Sequence, residues 1–298
     1  MSLKYINQSL VKSSEKDSFC PKAYLETELL NNCKKKPSLA MMLGQYFEYL
    51  ATGAKNREGE IVEIPLTKRR QPSTAQLRVE WQAKQFKENL IKHDIEILTV
   101  GETLSFNLFK EFLTTGIEDT TVLYKGRPYI MDIKLTSNID NDYGDFCWGE
   151  VHKMDKIQAY NYVLLKYHIT GIKFGFIYYV ADYKKNPTYK IIEVENPLDN
   201  FQEVYRRFKQ AFMRMTAFKN LGYPAIPSEN CEKCPVKSCQ FNGKKQVLKK
   251  QIIEEKTIEL EMRKIAQGNK IQEAKSKFAA YQKEKAKSLS NDYKIIYE

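Results

Sequence analysis

The sequence predicts an α/β fold followed by a helical C-terminal extension. Three observations carry this expectation. Apolar residues recur at three- and four-residue spacing in segments near 40–50 and 151–168. Short runs rich in β-branched and aromatic residues fill much of 94–135 and return at 174–195. Beyond Phe241 the composition changes, with 14 Lys+Arg against 8 Asp+Glu over 241–298.

The elements follow in order. In SLAMMLGQYFEYLA (38–51), Leu39, Met42, Leu43, Tyr46, Phe47 and Leu50 share one helical face, with Ser38 as N-cap. A polar stretch with a basic knot at Lys68, Arg69 and Arg70 precedes a second helix, 73–92, capped by Ser73 or Thr74. DIEILTV, GIEDTTVLY and PYIMDIKL then read as strands, the last two joined by the turn KGRP. A polar loop, SNIDNDYGDFCWG, leads to a helix over 151–168. The strands FGFIYYVA and YKIIEVE and the helix FQEVYRRFKQAFMRMTAF complete the core. The extension reads as a long charged helix, broken near Gly268 and ending in a strand, YKIIYE. The expected domains are 1–240 and 241–298.

Composition narrows the function. With 298 residues, 42% hydrophobic and 29% charged, the chain is long enough to bury a sizeable core. No apolar run reaches the ~18–20 residues that span a bilayer, and the polar N-terminus lacks the apolar centre of a signal peptide. A cytoplasmic location is expected, that of the host cell if a phage encodes the chain. A net charge of +11 favours polyanionic partners, although solubility alone also explains it. No Gly-x-x-x-x-Gly-Lys-[Ser/Thr] is present, so no nucleotide motor is expected.

Chemistry concentrates in Asp132-Ile133-Lys134. Residues two apart in a strand share a face, so Asp132 and Lys134 project together. A hairpin-like pairing brings Asp119 to the same end of the sheet. Two carboxylates this close repel unless a cation lies between them. Oxygen ligands from few side chains suit Mg²⁺ or Mn²⁺, and such an ion polarises a phosphoryl oxygen and acidifies water. The plainer reading is an exposed Asp–Lys pair at a strand end, worth little to stability.

Gly116-Ile-Glu-Asp119, thirteen positions before Asp132, together with Asp132-Ile-Lys134, resembles two motifs of the PD-(D/E)XK nucleases. The RecB-like branch fits best. Gly44-Gln-Tyr-Phe-Glu48 is similar to its upstream Gly-x-x-x-Glu helix, and Gln158-Ala-Tyr-Asn-Tyr162 to its Gln-x-x-x-Tyr helix. The resemblance implies a restriction-endonuclease-like αβββαβ core, a central mixed sheet flanked by helices. It further implies that Glu48, Asp119 and Asp132 hold the metal with the Ile133 carbonyl, that Lys134 positions or activates water, and that Gln158 and Tyr162 contact the DNA backbone or brace the site. Asp132 stands where many relatives carry glutamate. Glu118 competes with Asp119, and the Gly-x-x-Asp spacing favours Asp119. Glu48 as a solvated helix residue, and Gln158 and Tyr162 as ordinary packing, are the alternatives.

Cys231-x₂-Cys234-x₄-Cys239 has the density of a metal-binding thiolate cluster, with Cys20 the candidate fourth ligand. The arrangement resembles that of iron–sulfur nucleases, the AddB subunits and the CRISPR-associated RecB-like exonucleases. That resemblance implies a [4Fe–4S] cluster clasping the two ends of the nuclease core; Zn²⁺ is the rival. Cys33 and Cys147 look like bystanders, although Cys33 could replace Cys20.

The resulting expectation is a Mg²⁺- or Mn²⁺-dependent deoxyribonuclease acting on single strands or DNA ends, an exonuclease of recombination, repair, phage or CRISPR-related processing. A helicase or a recombination or adaptation factor is the expected protein partner. Lys68, Arg69, Arg70, Arg127 and the basic tail are candidate phosphate contacts. Tyr143, Phe146 and Trp148 could stack on unpaired bases or pack the loop onto the core. The alternatives are a nucleic-acid-binding or assembly subunit with an idle site, and an endonuclease of a defence or packaging system.

Overall fold

The computed structural model describes residues 5–34, 36–55, 59–109, 112–243 and 258–270, with 272, 273, 276 and 277. In chain order the elements are β1 (Tyr5–Asn7), α1 (Gln8–Ser14), α2 (Pro21–Tyr24), a π-helical turn (Leu25–Leu29), α3 (Leu39–Thr52), α4 (Thr74–Lys92), β2 (Ile95–Val100), β3 (Thr103–Phe109), β4 (Phe112–Ile117), β5 (Thr120–Tyr124), β6 (Arg127–Thr136), α5 (Ile157–Thr170), β7 (Gly175–Asp182), β8 (Tyr189–Val194) and α6 (Phe201–Asn220). The chain divides into two compact units, 1–15 with 34–209, and 16–33 with 210–298. The expected boundary near 240 does not coincide with this division.

The first unit is an α/β fold with two mixed sheets. Its five-stranded sheet runs β2-β5-β6-β7-β8, and a three-stranded sheet runs β1-β4-β3. β6 and β7 are parallel and joined through α5, while β2–β5, β5–β6 and β7–β8 are antiparallel. The β5–β6 hairpin closes through Lys125 and Gly126, both at positive φ (52° and 71°), the geometry of a type I′ turn.

Alternation along β6 and β7 builds two cores. Met131, Ile133, Ile177, Tyr179 and Ala181 join Leu43 and Phe47 of α3 and Val79, Ala83 and Phe86 of α4. Ile130, Phe176, Tyr178 and Val180 join Ala159, Tyr162, Val163 and Leu165 of α5. Helices therefore cover both faces of the larger sheet, which explains why its central strands read as continuous apolar runs. Ser38 and Ser73 cap α3 and α4, accepting from Met41 N (3.2 Å) and Gln76 N (3.1 Å).

Three local expectations change. GIEDTTVLY is two strands in different sheets, broken at Glu118–Asp119. The helix expected from 151 begins with a separate 3₁₀ turn (Val151–Lys153) before α5. The sequence reading also missed β1, α1 and β3.

In the second unit Phe19 stacks on Phe218 (5.8 Å between ring centres), and Lys22 N donates to Pro224 O (3.3 Å). Residues 258–270 are helical and pass through Gly268 without the expected break. The YKIIYE segment and most of the basic tail lie outside the described residues.

Candidate active site

β5 ends before β6 does. Their last pair is Thr120 with Met131, whereas β6 continues beside β7 to Thr136. Beyond Met131 one edge of β6 has, among the described residues, no strand to bond. Asp119 takes that place, its Oδ2 accepting from Ile133 N at 2.8 Å. Asp119 and Asp132 therefore flank the point where the hairpin opens, as the sequence suggested.

Asp132 and Lys134 lie on the α5 side of β6, and their carboxylate and ammonium form an ion pair. Asp132 is fully buried, and its Oδ1 accepts from Gln158 Nε2 at 2.5 Å. The Lys134 ammonium sits against Oδ2. Glu48 arrives from α3, in the helical layer on the other face. Its carboxyl is pushed up to about 8, first by burial and then by the Asp119 charge, with Lys134 opposing and Asp132 adding. Burial likewise pushes Asp132 up to about 7, against the pull of Lys134. Burial alone would lower the Lys134 ammonium, but Asp132 and Asp119 outweigh it and hold the group well above its ordinary value. Three carboxyls and one ammonium thus share a field, and the ammonium does not satisfy all of them.

Gln158 and Tyr162 lie one turn apart on α5, and both are buried. Tyr162 packs over Gly116: a Cβ at Gly116 would meet its ring carbon Cε1 at 2.4 Å. Its hydroxyl accepts from Gln8 Nε2 at 3.3 Å. Burial, then Asp132 and Asp119, push the phenol well up. Glu118 is not part of this group. It is buried against Lys166 Nζ (2.6 Å), while Asp119 accepts from Ile133 N on β6.

Sequence reasoning missed α1. Gln8 touches Tyr162, and Lys12 lies 3.7 Å from Asp155 Oδ2 and 4.4 Å from the Phe146 ring centre, near enough to favour the Asp132 anion. The available signal was the Asn7 cap, which accepts from Leu10 N at 2.8 Å.

One expected DNA contact changes. Trp148 is only 4% exposed, stacked on Phe146 (5.1 Å) and packed edge-on to Tyr178, so it belongs to the core and cannot stack on a base. Arg127 sits at the hairpin turn, five residues and roughly 16 Å along β6 from Asp132 at ~3.3 Å per residue. It donates to Tyr129 Oη (3.1 Å). Tyr143 is exposed, and Lys68, Arg69 and Arg70 lie in an exposed turn before α4.

Among the described residues no three Asp, Glu, His or Cys side chains are already arranged to hold a metal ion. At the carboxylates the reason is visible: protein donors occupy Asp119 Oδ2 and Asp132 Oδ1. The all-oxygen donor set nevertheless fits a hard divalent cation. The second unit contains Cys20, Cys231, Cys234 and Cys239. The Cys234 thiol is pushed up by burial, with Cys20, Cys231 and Cys239 adding to the rise. All four are free thiols, and the Ser228 N–H donates to Cys231 Sγ at 3.2 Å. Cys20, Cys231 and Cys239 thus all act on Cys234, and thiolates of this kind suit a soft metal, although the four are not already arranged around one.

Among the described residues no helix is long and apolar enough to cross a membrane. No family model matches the sequence, and no curated protein does. The fold is similar to a crystal structure from Eubacterium rectale, of a protein provisionally named an exonuclease. The match has a TM-score of 0.58 and 20% identity, and covers 84% of this chain and 91% of that one. A second solved structure, SSO0001, aligns over 72% of this chain and 77% of its own at 14% identity and a TM-score of 0.35. The first likeness shows a shared α/β fold.

Proposed function

We propose that this chain is a Mg²⁺- or Mn²⁺-dependent deoxyribonuclease acting on single-stranded DNA or DNA ends. One observation carries the reading: Glu48, Asp119 and Asp132, from α3, the β4–β5 junction and β6, act on one another beside Lys134. The fold it shares with a protein provisionally named an exonuclease agrees with it.

Glu48, Asp119 and Asp132 would hold the ion, with the Ile133 carbonyl as a further oxygen donor. A bound ion would polarise a phosphoryl oxygen and acidify a water molecule. Lys134 pulls Asp132 towards its anion, and its ammonium would orient the attacking water and offset charge on the phosphate. Gln158 fixes the Asp132 carboxylate, and Tyr162 holds Gln158 and Gln8 around it. Lys68, Arg69 and Arg70 would supply phosphate contacts, which position DNA without reading its sequence. Cys20, Cys231, Cys234 and Cys239 would hold a [4Fe–4S] cluster with a structural role, since binding at such a site adds to folding free energy.

The test is cleavage of end-labelled single-stranded DNA in Mn²⁺ by wild type, Lys134→Ala and Asp132→Ala. We expect chelator-sensitive cleavage by wild type and a loss of about 10²-fold or more in each variant. Binding without cutting in wild type, or equal cutting by all three, would overturn the reading.

A further inference from the structure

The geometry points to Lys166 as a positioning residue for Asp119, acting through Glu118, and hence for ion binding at the candidate site. This rests on the nuclease reading above.

The chain leaves the three-stranded sheet at Ile117 and enters the five-stranded sheet at Thr120. Glu118 and Asp119 alone make that crossing, and neighbouring residues in extended chain face opposite ways. Whatever holds Glu118 therefore sets where Asp119 points. Glu118 is completely buried, and its Oε1 accepts from Lys166 Nζ (2.6 Å) and from Thr121 Oγ1 (2.6 Å). Lys166, itself buried, also donates to Glu102 Oε2 (2.5 Å) and Thr121 Oγ1 (3.1 Å). The backbone joins the same cluster: Glu118 N donates to Glu102 O (3.0 Å), and Gly101 N to Asp119 O (2.9 Å). The junction is thus tied on both flanks, from α5 and from the β2–β3 turn.

α5 consequently controls both aspartates. Gln158, in its first turn, bonds Asp132 directly, and Lys166, eight residues later, bonds the neighbour of Asp119. Burying a lysine is costly unless every charge is paired. Here the cost falls where the chain passes from β4 in one sheet to β5 in the other. A hydrophobic residue at 166 would leave Glu118 unpaired in the interior and would release the junction.

The test is Mn²⁺ uptake by metal-stripped protein without DNA, read by electron paramagnetic resonance of the free ion. Wild type is compared with Asp119→Ala, Glu118→Gln and the double variant Lys166→Met/Glu118→Gln, whose folding is checked by circular dichroism. The double variant removes both charges together and so avoids an orphaned carboxylate. We expect it to fold and to bind Mn²⁺ about 10- to 100-fold more weakly, as outer-shell changes commonly do, in the same direction as Asp119→Ala. Glu118→Gln, which keeps Lys166 paired to Glu102, should lose less. A folded double variant with wild-type affinity would overturn the inference. If the double variant does not fold, Glu118→Gln decides: wild-type affinity there overturns it, and a measurable loss upholds it. Wild type that takes up no Mn²⁺, or is indifferent to Asp119→Ala, overturns the nuclease reading itself.

Discussion

At Glu48 and Asp132 the fold holds two carboxyls in a state that water would not favour. Their values, raised to about 8 and about 7, mean that the folded chain keeps protons which an unfolded chain, with carboxyls near ~4, has released. The folded state therefore binds more protons between about pH 4 and pH 8, and stability falls as pH rises through that window. A divalent cation needs these groups deprotonated and restores what is lost. Calorimetry of metal-free protein should show Tm dropping from about pH 5.5 to about pH 8, with Mn²⁺ raising Tm more at the higher pH. A Tm that climbs over this range without metal would contradict the burial of these acids. The candidate residues could be picked out because Asp-x-Lys and the two i, i+4 pairs are local patterns. Their mutual influence was not, since Glu48 lies 71 positions before Asp119 and only tertiary packing joins them. Trp148 shows the converse: its chemistry suited base stacking, and burial against Phe146 and Tyr178 decided otherwise.

Among the elements, α5 and β4 are matched through Gly116 and Tyr162. An alanine at Gly116 would place its Cβ inside contact distance of a buried ring that has no room to swing away. Gly116→Ala should cost about 1–3 kcal/mol, as overpacking does. The penalty should shrink when Tyr162 is trimmed to leucine, a coupling that urea unfolding of the four-member cycle would measure. Additive penalties would place the clash elsewhere. α3 and α4 were readable from their caps and apolar faces, and α5 from its periodicity. β3 was missed although Leu104, Phe106 and Leu108 alternate with polar residues, a period-two signal in plain view. The break in GIEDTTVLY had a weaker signal. Glu118-Asp119 is a dip in β propensity, and Glu118 turns inward there to Lys166, 48 positions away.

For the whole molecule, the four cysteines fall in one compact unit. Cys20 belongs to the same compact unit as Cys231, Cys234 and Cys239 despite more than 200 intervening residues. If these thiols hold a cluster, anaerobically purified protein should be brown and contain iron, and Cys234→Ser should lose both the colour and several degrees of Tm. Zinc in place of iron, with no colour, would favour the rival metal; neither metal would remove the four-thiolate reading. The account stands or falls, however, on the acids of the first unit, and a Mn²⁺ soak read by anomalous scattering tests them most directly. The predicted result is one strong peak between the Asp119 and Asp132 carboxylates, within reach of Glu48, with Asp119 drawn off the Ile133 N–H. Carboxylates left on Ile133 and Gln158 with no peak between them would contradict it.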